Sequence, residues 1–208
     1  MLKTVLGFGS AFALSAVLLA SAPASAGNLF QPNFNSENGG NSELNYTGFQ
    51  NFTVSSGSVD LIGNGSFDFG SNNNLYVDMA GSTGQYGAIT TNSSFGPGAY
   101  EITLDIGGPI SSDYHADGVT VSWTGCGGSC VNTGDIAALN EEVLTFKIDL
   151  TTNTKFTIAD LGDSGNPNVG ATLFGFDVVE VPEPMSMALL GTGLLGASLF
   201  GRRRKKSK

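Results

Sequence analysis

The pair Cys126 and Cys130, separated by Gly-Gly-Ser, holds both cysteines of the sequence and is its sharpest chemical feature. In an oxidising compartment such a pair closes a small disulfide loop, worth about 2 kcal/mol on the chain-entropy estimate. Free thiols and a metal or redox use are the alternatives; a metal site needs further soft ligands, and the one histidine is His115. Carboxylates are the second resource. Asp160, Asp163, Ser164 and Asn166 form an oxygen-rich stretch of the kind calcium uses, and Asp113 and Asp117 flank His115. Neither group has the EF-hand order, and Asp and Asn also simply start turns. His115 with either neighbouring Asp lacks a nucleophile motif, and a carboxylate pair for glycoside hydrolysis is defined by distances rather than by sequence. The chain therefore reads as non-enzymatic. Aromatic side chains at Tyr76, Tyr86, Tyr114 and Trp123 are the third resource: exposed, they stack on sugar faces; buried, they are core or cross-strand residues.

These residues lie between Gly27 and Val181, where aromatic and β-branched alternation is broken repeatedly by Gly, Asn and Ser. The length suits one domain with a continuous core. Strands are predicted over 52–54, 58–62, 66–69, 75–79, 86–91, 99–106, 118–123, 143–150, 155–159 and 171–181. Gly63-Asn64-Gly65 and Ser71-Asn72-Asn73-Asn74 supply left-handed turn conformations between them. The polar stretch from Gly27 to Gly40 is expected to wrap an edge before the first strand, anchored by Phe30 and Phe34, and only Asp135 to Glu142 reads as a helix. Tyr100, Ile102, Leu104 and Ile106 alternate with Glu101, Thr103 and Asp105, so one face of that strand enters the core. The expected fold is all-β, a two-sheet antiparallel sandwich or jelly roll.

The two ends are different in kind. Lys3, an apolar run from Val5 to Ala20 and the small-x-small triplet Ala24-Ser25-Ala26 make residues 1–26 a signal peptide, a short helix cleaved to leave Gly27 first; an uncleaved anchor is the alternative. Export favours the disulfide reading of Cys126 and Cys130. At the other end the prolines of Val181-Pro182-Glu183-Pro184 hold the backbone extended. Met185 to Gly201 then forms an apolar transmembrane helix at the lower length limit for a bilayer core of about 30 Å. Arg202, Arg203, Arg204, Lys205 and Lys206 hold its end in the cytoplasm. A permanent single-span anchor is the alternative. Removing both ends leaves only Lys147 and Lys155 against every acidic residue but Glu183. So acidic a body excludes nucleic acid and anionic lipid as partners and favours cations, neutral sugars or plain repulsive solubility.

The ordered Val-Pro-Glu-Pro, Gly- and Leu-rich span and basic cluster over 182–208 resemble the PEP-CTERM sorting signal recognised by exosortases. The resemblance implies a Gram-negative host, transient anchoring in the inner membrane, cleavage near Pro182-Glu183-Pro184, and transfer to the cell surface or exopolysaccharide matrix. The body resembles galactose-binding-like jelly rolls through Ser58-Val59-Asp60-Leu61-Ile62, the stretch from Leu75 to Ser82, Gly87-Ala88-Ile89, Phe95-Gly96-Pro97-Gly98-Ala99-Tyr100 and the strand ending at Val181. In that family the last strand carries an Asp-Asn pair; this chain has Gly175-Phe176-Asp177-Val178, so only Asp177 carries over as a ligand candidate. The expectation is an exported matrix protein whose sandwich binds extracellular carbohydrate. The alternatives are a structural biofilm protein without a ligand site and a glycan-active hydrolase. Signal peptidase, an exosortase and, for the precursor, the membrane are the expected partners, with no cofactor unless calcium.

Overall fold

A computed structural model of the chain describes residues 28–63, 74–127 and 131–181. The elements begin with β1 (Asn28–Phe30), a 3₁₀ segment (Phe34–Gly40), β2 (Phe52–Ser56), β3 (Asp60–Ile62), β4 (Tyr76–Asp78), β5 (Ala80–Gly81) and β6 (Gln85–Tyr86). They continue with β7 (Ala88–Thr91), β8 (Gly98–Gly107), β9 (Val119–Trp123), β10 (Val131–Asn132), β11 (Glu141–Leu150), β12 (Phe156–Asp160) and β13 (Thr172–Glu180). One sheet has the order β11-β8-β13-β4-β3, with β1 also on β13; the other has the order β10-β9-β12-β7-β2. Every pairing is antiparallel.

Alternation decides which face is buried. Tyr100, Ile102, Leu104 and Ile106 of β8 point inward, as do Val119 and Val121 of β9 and Phe156 and Ile158 of β12. Between the sheets the aromatic rings meet edge to face: Phe30 lies 5.5 Å from Phe52 and 5.7 Å from Phe95, and Phe156 lies 5.8 Å from Phe176. This geometry sets the positive ring edges against the negative faces, while Phe34 stacks on Phe52 at 5.9 Å with 26° between the planes.

Beyond the 3₁₀ segment and β10, which the sequence reading did not contain, the structure departs from it in two places. Asn28–Phe30 is itself a strand, so Phe30 and Phe34 anchor a segment that joins the sheet rather than only wrapping it. The helix expected over Asp135 to Glu142 does not form. Ile136 instead exchanges backbone hydrogen bonds with Asp117 (2.9 and 3.1 Å), Leu139 takes φ +64, and β11 starts at Glu141. An isolated helix that short is marginal in water, whereas the strand gains ten consecutive pairs with β8. The strand expected over 66–69, the signal helix of residues 1–26 and the span from Met185 to Gly201 lie outside the described residues. Among those described, no helix is long and apolar enough to cross a membrane.

Candidate functional site

The candidate aromatics do not converge. Tyr76 is 2% exposed on β4 with its ring 5.2 Å from Phe174, so it is a packing residue and not a binding platform. Tyr86 ends the β5–β6 hairpin and lies over Gly162, while Tyr114 sits next to His115, whose N–H donates to the Ser164 carbonyl. These two are half-buried at the end of the sandwich where β9 begins. Trp123 is at the opposite end of β9. Asp177 lies on the outer face of the other sheet, opposite Thr103 in register, and accepts a hydrogen bond from Gln31 (3.2 Å). Burial raises its carboxyl, an effect the Gln31 bond opposes.

Trp123, half-buried like Tyr86 and Tyr114, borders open space. It shares the inward parity of Val119 and Val121, but at the strand end the sandwich stops covering it, and its ring meets Phe156 edge on at 5.9 Å. Two surface clefts adjoin it. A polar one of 580 Å³ is walled by Ser122 and Thr157 from the outer face of the sheet and by Ser94, Thr124, Asn153, Thr154 and the cation Lys155 from the loops. The other, 450 Å³, opens between the sheets and is floored by Val131, Phe146 and Ile148, with Lys147 and Asp149 at its rim. An aromatic edge beside clustered hydroxyl and amide groups is the chemistry of a neutral polyhydroxylated ligand. Sequence reasoning found Trp123 but not the hydroxyls. Ser122 and Thr157 have a legible signal, the outward parity of adjacent strands, whereas Ser94 and Asn153 arrive through loops.

The cysteine loop buttresses this site. The Trp123 N–H donates to Cys126 Sγ (3.3 Å) and the Cys126 N–H to the Trp123 carbonyl (3.3 Å), so the turn packs directly under the indole's backbone. Among the described residues no cysteine is free, and Cys130 lies outside them. A Cys126–Cys130 bond is expected to leave neither thiol open to alkylation in the native protein, with both labelled after reduction. Two labelled thiols in unreduced protein would exclude it.

The calcium ligand set does not assemble. Among the described residues no group of three or more Asp, Glu, His or Cys is arranged to hold a metal ion. Asp160 turns inward, its oxygens accepting from the Gly162 and Ala171 N–H groups (2.7 and 3.0 Å). Asn166 Oδ1 accepts from the Asn168 N–H at 3.1 Å, while Asp163 stays exposed.

Asp160 belongs instead to a row of inward carboxylates that clamps loops at this end. Asp117 accepts from the Gly118 and Ser164 N–H groups (2.8 and 3.0 Å), and Asp78 from Ala80 and Gly170 (both 2.9 Å). Asp60 accepts from Asn45 and from Ser82. Desolvation and the neighbouring Asp117 push Asp160 up to about 7, and burial raises Asp78 well above its ordinary value. With three backbone N–H donors Asp117 is the better anion, so Asp160 holds the shared proton and donates it. Gly170 is required here because a Cβ would strike Asp160 Oδ2.

The arrangement as a whole is a rigid two-sheet scaffold with a polar, aromatic-edged rim. It aligns with the CBM22-1 xylan-binding domain of Paenibacillus barcinonensis Xyn10C at a TM-score of 0.50 and 11% identity, over 79% of this chain and 100% of that domain. The CBM22-1–CBM22-2 tandem of the same protein aligns at 0.49 and 12%, covering 77% of this chain and 49% of that one. TmCBM61 in complex with β-1,4-galactotriose aligns at 0.38 and 10%, covering 62% and 87%. No curated protein matches the chain in sequence. The fold is thus an all-β, two-sheet sandwich resembling carbohydrate-binding modules. The C-terminus carries the PEP-CTERM protein-sorting motif, matched over residues 180–205, which marks an exported, exosortase-processed cell-surface protein. The sheet runs up to the motif: the Val181 N–H still donates to the Ala99 carbonyl (2.9 Å), and Pro182, lacking a donor, follows at once.

Proposed function

We propose that this protein binds a neutral extracellular polysaccharide through the rim around Trp123 and performs no catalysis. The observation that carries the reading is the position of Trp123 between a hydroxyl-walled cleft and an apolar-floored one. The acidic body, with Lys147 and Lys155 as its only lysine or arginine side chains, supports a neutral rather than an anionic glycan, although each of the two sits at one of the clefts. A xylan-binding domain and a galactotriose-bound module share the architecture, which makes xylan and β-1,4-galactan the first probes.

The proposal extends to the life of the chain. Signal peptidase cuts after Ala26, the span from Met185 to Gly201 and the Arg202–Lys206 cluster hold the precursor in the inner membrane, and an exosortase cuts near Pro182-Glu183-Pro184. The jelly-roll body, residues 27–181 with Cys126 bonded to Cys130, then joins the surface or exopolysaccharide matrix of a Gram-negative cell.

In affinity electrophoresis through gels containing xylan or β-1,4-galactan, the exported protein is expected to be retarded. Trp123→Ala is expected to weaken that retardation about tenfold in protein that still unfolds cooperatively, at a lowered melting temperature because the ring also packs on Phe156, and Tyr76→Phe to change nothing. Retardation unaffected by Trp123→Ala would move the site elsewhere. No retardation by any matrix polysaccharide would favour a structural role without a ligand.

A further inference from the structure

Sheet edges invite pairing with other chains, and most edges of this sandwich are blunted. β2 bulges against β7 between Val54 and Ser56, and β10 spans only Val131–Asn132. β3 is covered by the 43–46 segment, with Glu43 and Leu61 exchanging backbone bonds and Tyr46 donating to the Val59 carbonyl. β11 differs. It pairs with β8 without a register shift from Glu141 to Leu150, and among the described residues its other side has no strand. Val143 on this strand is 64% exposed. So long and regular an edge, free of bulge and proline, templates a further strand where the charges it carries, Glu141, Glu142, Lys147 and Asp149, find opposite partners.

We propose that β11 is the interface of a two-fold dimer, in which it pairs antiparallel with β11 of a second copy about an axis at Leu144. Residues facing each other across such a ladder must point to the same side of the sheet, which allows only alternate axes. An axis at Leu144 sets Lys147 opposite the partner's Glu141, twice by symmetry, and Val143 opposite the partner's Thr145. An axis at Thr145 would instead set Glu141 against the partner's Asp149 and repel. The Leu144 axis leaves Ile148 and Asp149 of the cleft beside Trp123 outside the paired stretch, while Phe146 and Lys147 of the same cleft lie within it.

Charge supports the second copy as the occupant. Glu141 stands beside Asp105, whose carboxyl is raised to about 6 by burial and then by the Glu141 charge. The described residues place no ion pair on either; the one salt bridge among them joins Lys147 and Glu101. The Lys147 ammonium holds Glu101 at 3.6 Å on an exposed face (its side chain is 73% exposed), so in the dimer it would be shared between that carboxylate and the acidic pair Glu141 and Asp105 of the neighbouring copy. The inference does not rest on glycan binding, although two joined copies would bind a polymer with greater avidity.

The test uses the full exported chain carrying Leu144→Cys on non-reducing gels. Opposed residues at a two-fold axis are close enough for a disulfide, so a cross-linked dimer is expected, with Val143→Cys giving far less. Adding Lys147→Glu is expected to cut the cross-linked fraction about tenfold, and adding Glu141→Lys to that variant to restore it. Sedimentation of the same charge variants without the new cysteine guards against a folding defect at Leu144 and is expected to show the same loss and rescue. Stronger cross-linking from Val143→Cys, a dimer indifferent to Lys147→Glu, or a monomer at every concentration in both assays would overturn the proposal.

Discussion

Truncating Phe176 to alanine is expected to lower unfolding stability by about 3–5 kcal/mol, a large part of the roughly 5–15 kcal/mol that an ordinary domain possesses. Phe176 is 0% exposed in the middle of β13, and its ring joins the two sheets: Phe156 lies at 5.8 Å, Phe30 at 6.3 Å and Phe52 at 6.4 Å. The cost has two parts, the lost transfer of the ring from water and a cavity that three edge-on aromatics held by different strands cannot collapse to fill. Phe176→Leu keeps much of the volume and is expected to lose less than half as much. Urea unfolding with unchanged slope and a lowered midpoint measures both. A Phe176→Ala midpoint close to that of the parent protein would mean that the inter-sheet core is not where stability resides.

That ring cluster also shows what could be read from the sequence. Strand parity put Tyr100, Ile102, Leu104 and Ile106 inside because a half-buried strand has a period of two, and every one is buried. Parity is a local property. It does not say which strands become neighbours, so Phe30, Phe52, Phe95 and Phe156 were readable as apolar but not as one cluster. Tyr76 stood open between a sugar platform and a core residue for the same reason: its burial depends on Phe174, nearly a hundred residues away in sequence. Asp160 stood open between a calcium ligand and a turn former because an acidic loop reads the same whether its oxygens face solvent, a cation or backbone N–H groups. Only the closure of the 160–171 loop onto Asp117 decides which. The sorting motif was fully legible because it is recognised as a linear string and needs no tertiary neighbour.

That inward carboxylate row makes the domain's stability depend on pH in the direction opposite to ordinary acid denaturation. Asp160 holds its proton up to about 7 in the folded protein, against about 3.9 for a free Asp. Between those values the folded state binds more protons than the unfolded chain, so stability is fully present below about pH 4 and is lost as pH rises through about 7. Asp78 and Asp117 are shifted the same way, chiefly by burial. Above neutrality Asp160 ionises against Asp117 and in the field of Asp78, in a pocket whose backbone donors are already shared out; His115 stands exposed against Gly165 at the margin of the loop. At constant ionic strength the melting temperature is expected to fall by at least about 5 °C from pH 5 to pH 8. Asp160→Asn removes the titrating group and is expected to flatten most of that slope, even though the amide loses one backbone bond and lowers the acid plateau. Asp163→Asn removes the same charge from an exposed position and is expected to leave the slope unchanged, which separates the buried pair from the general repulsion of an acidic body. A melting temperature that rises from pH 5 to pH 8, or a slope that survives Asp160→Asn, would show that Asp160 does not hold this proton in the folded protein.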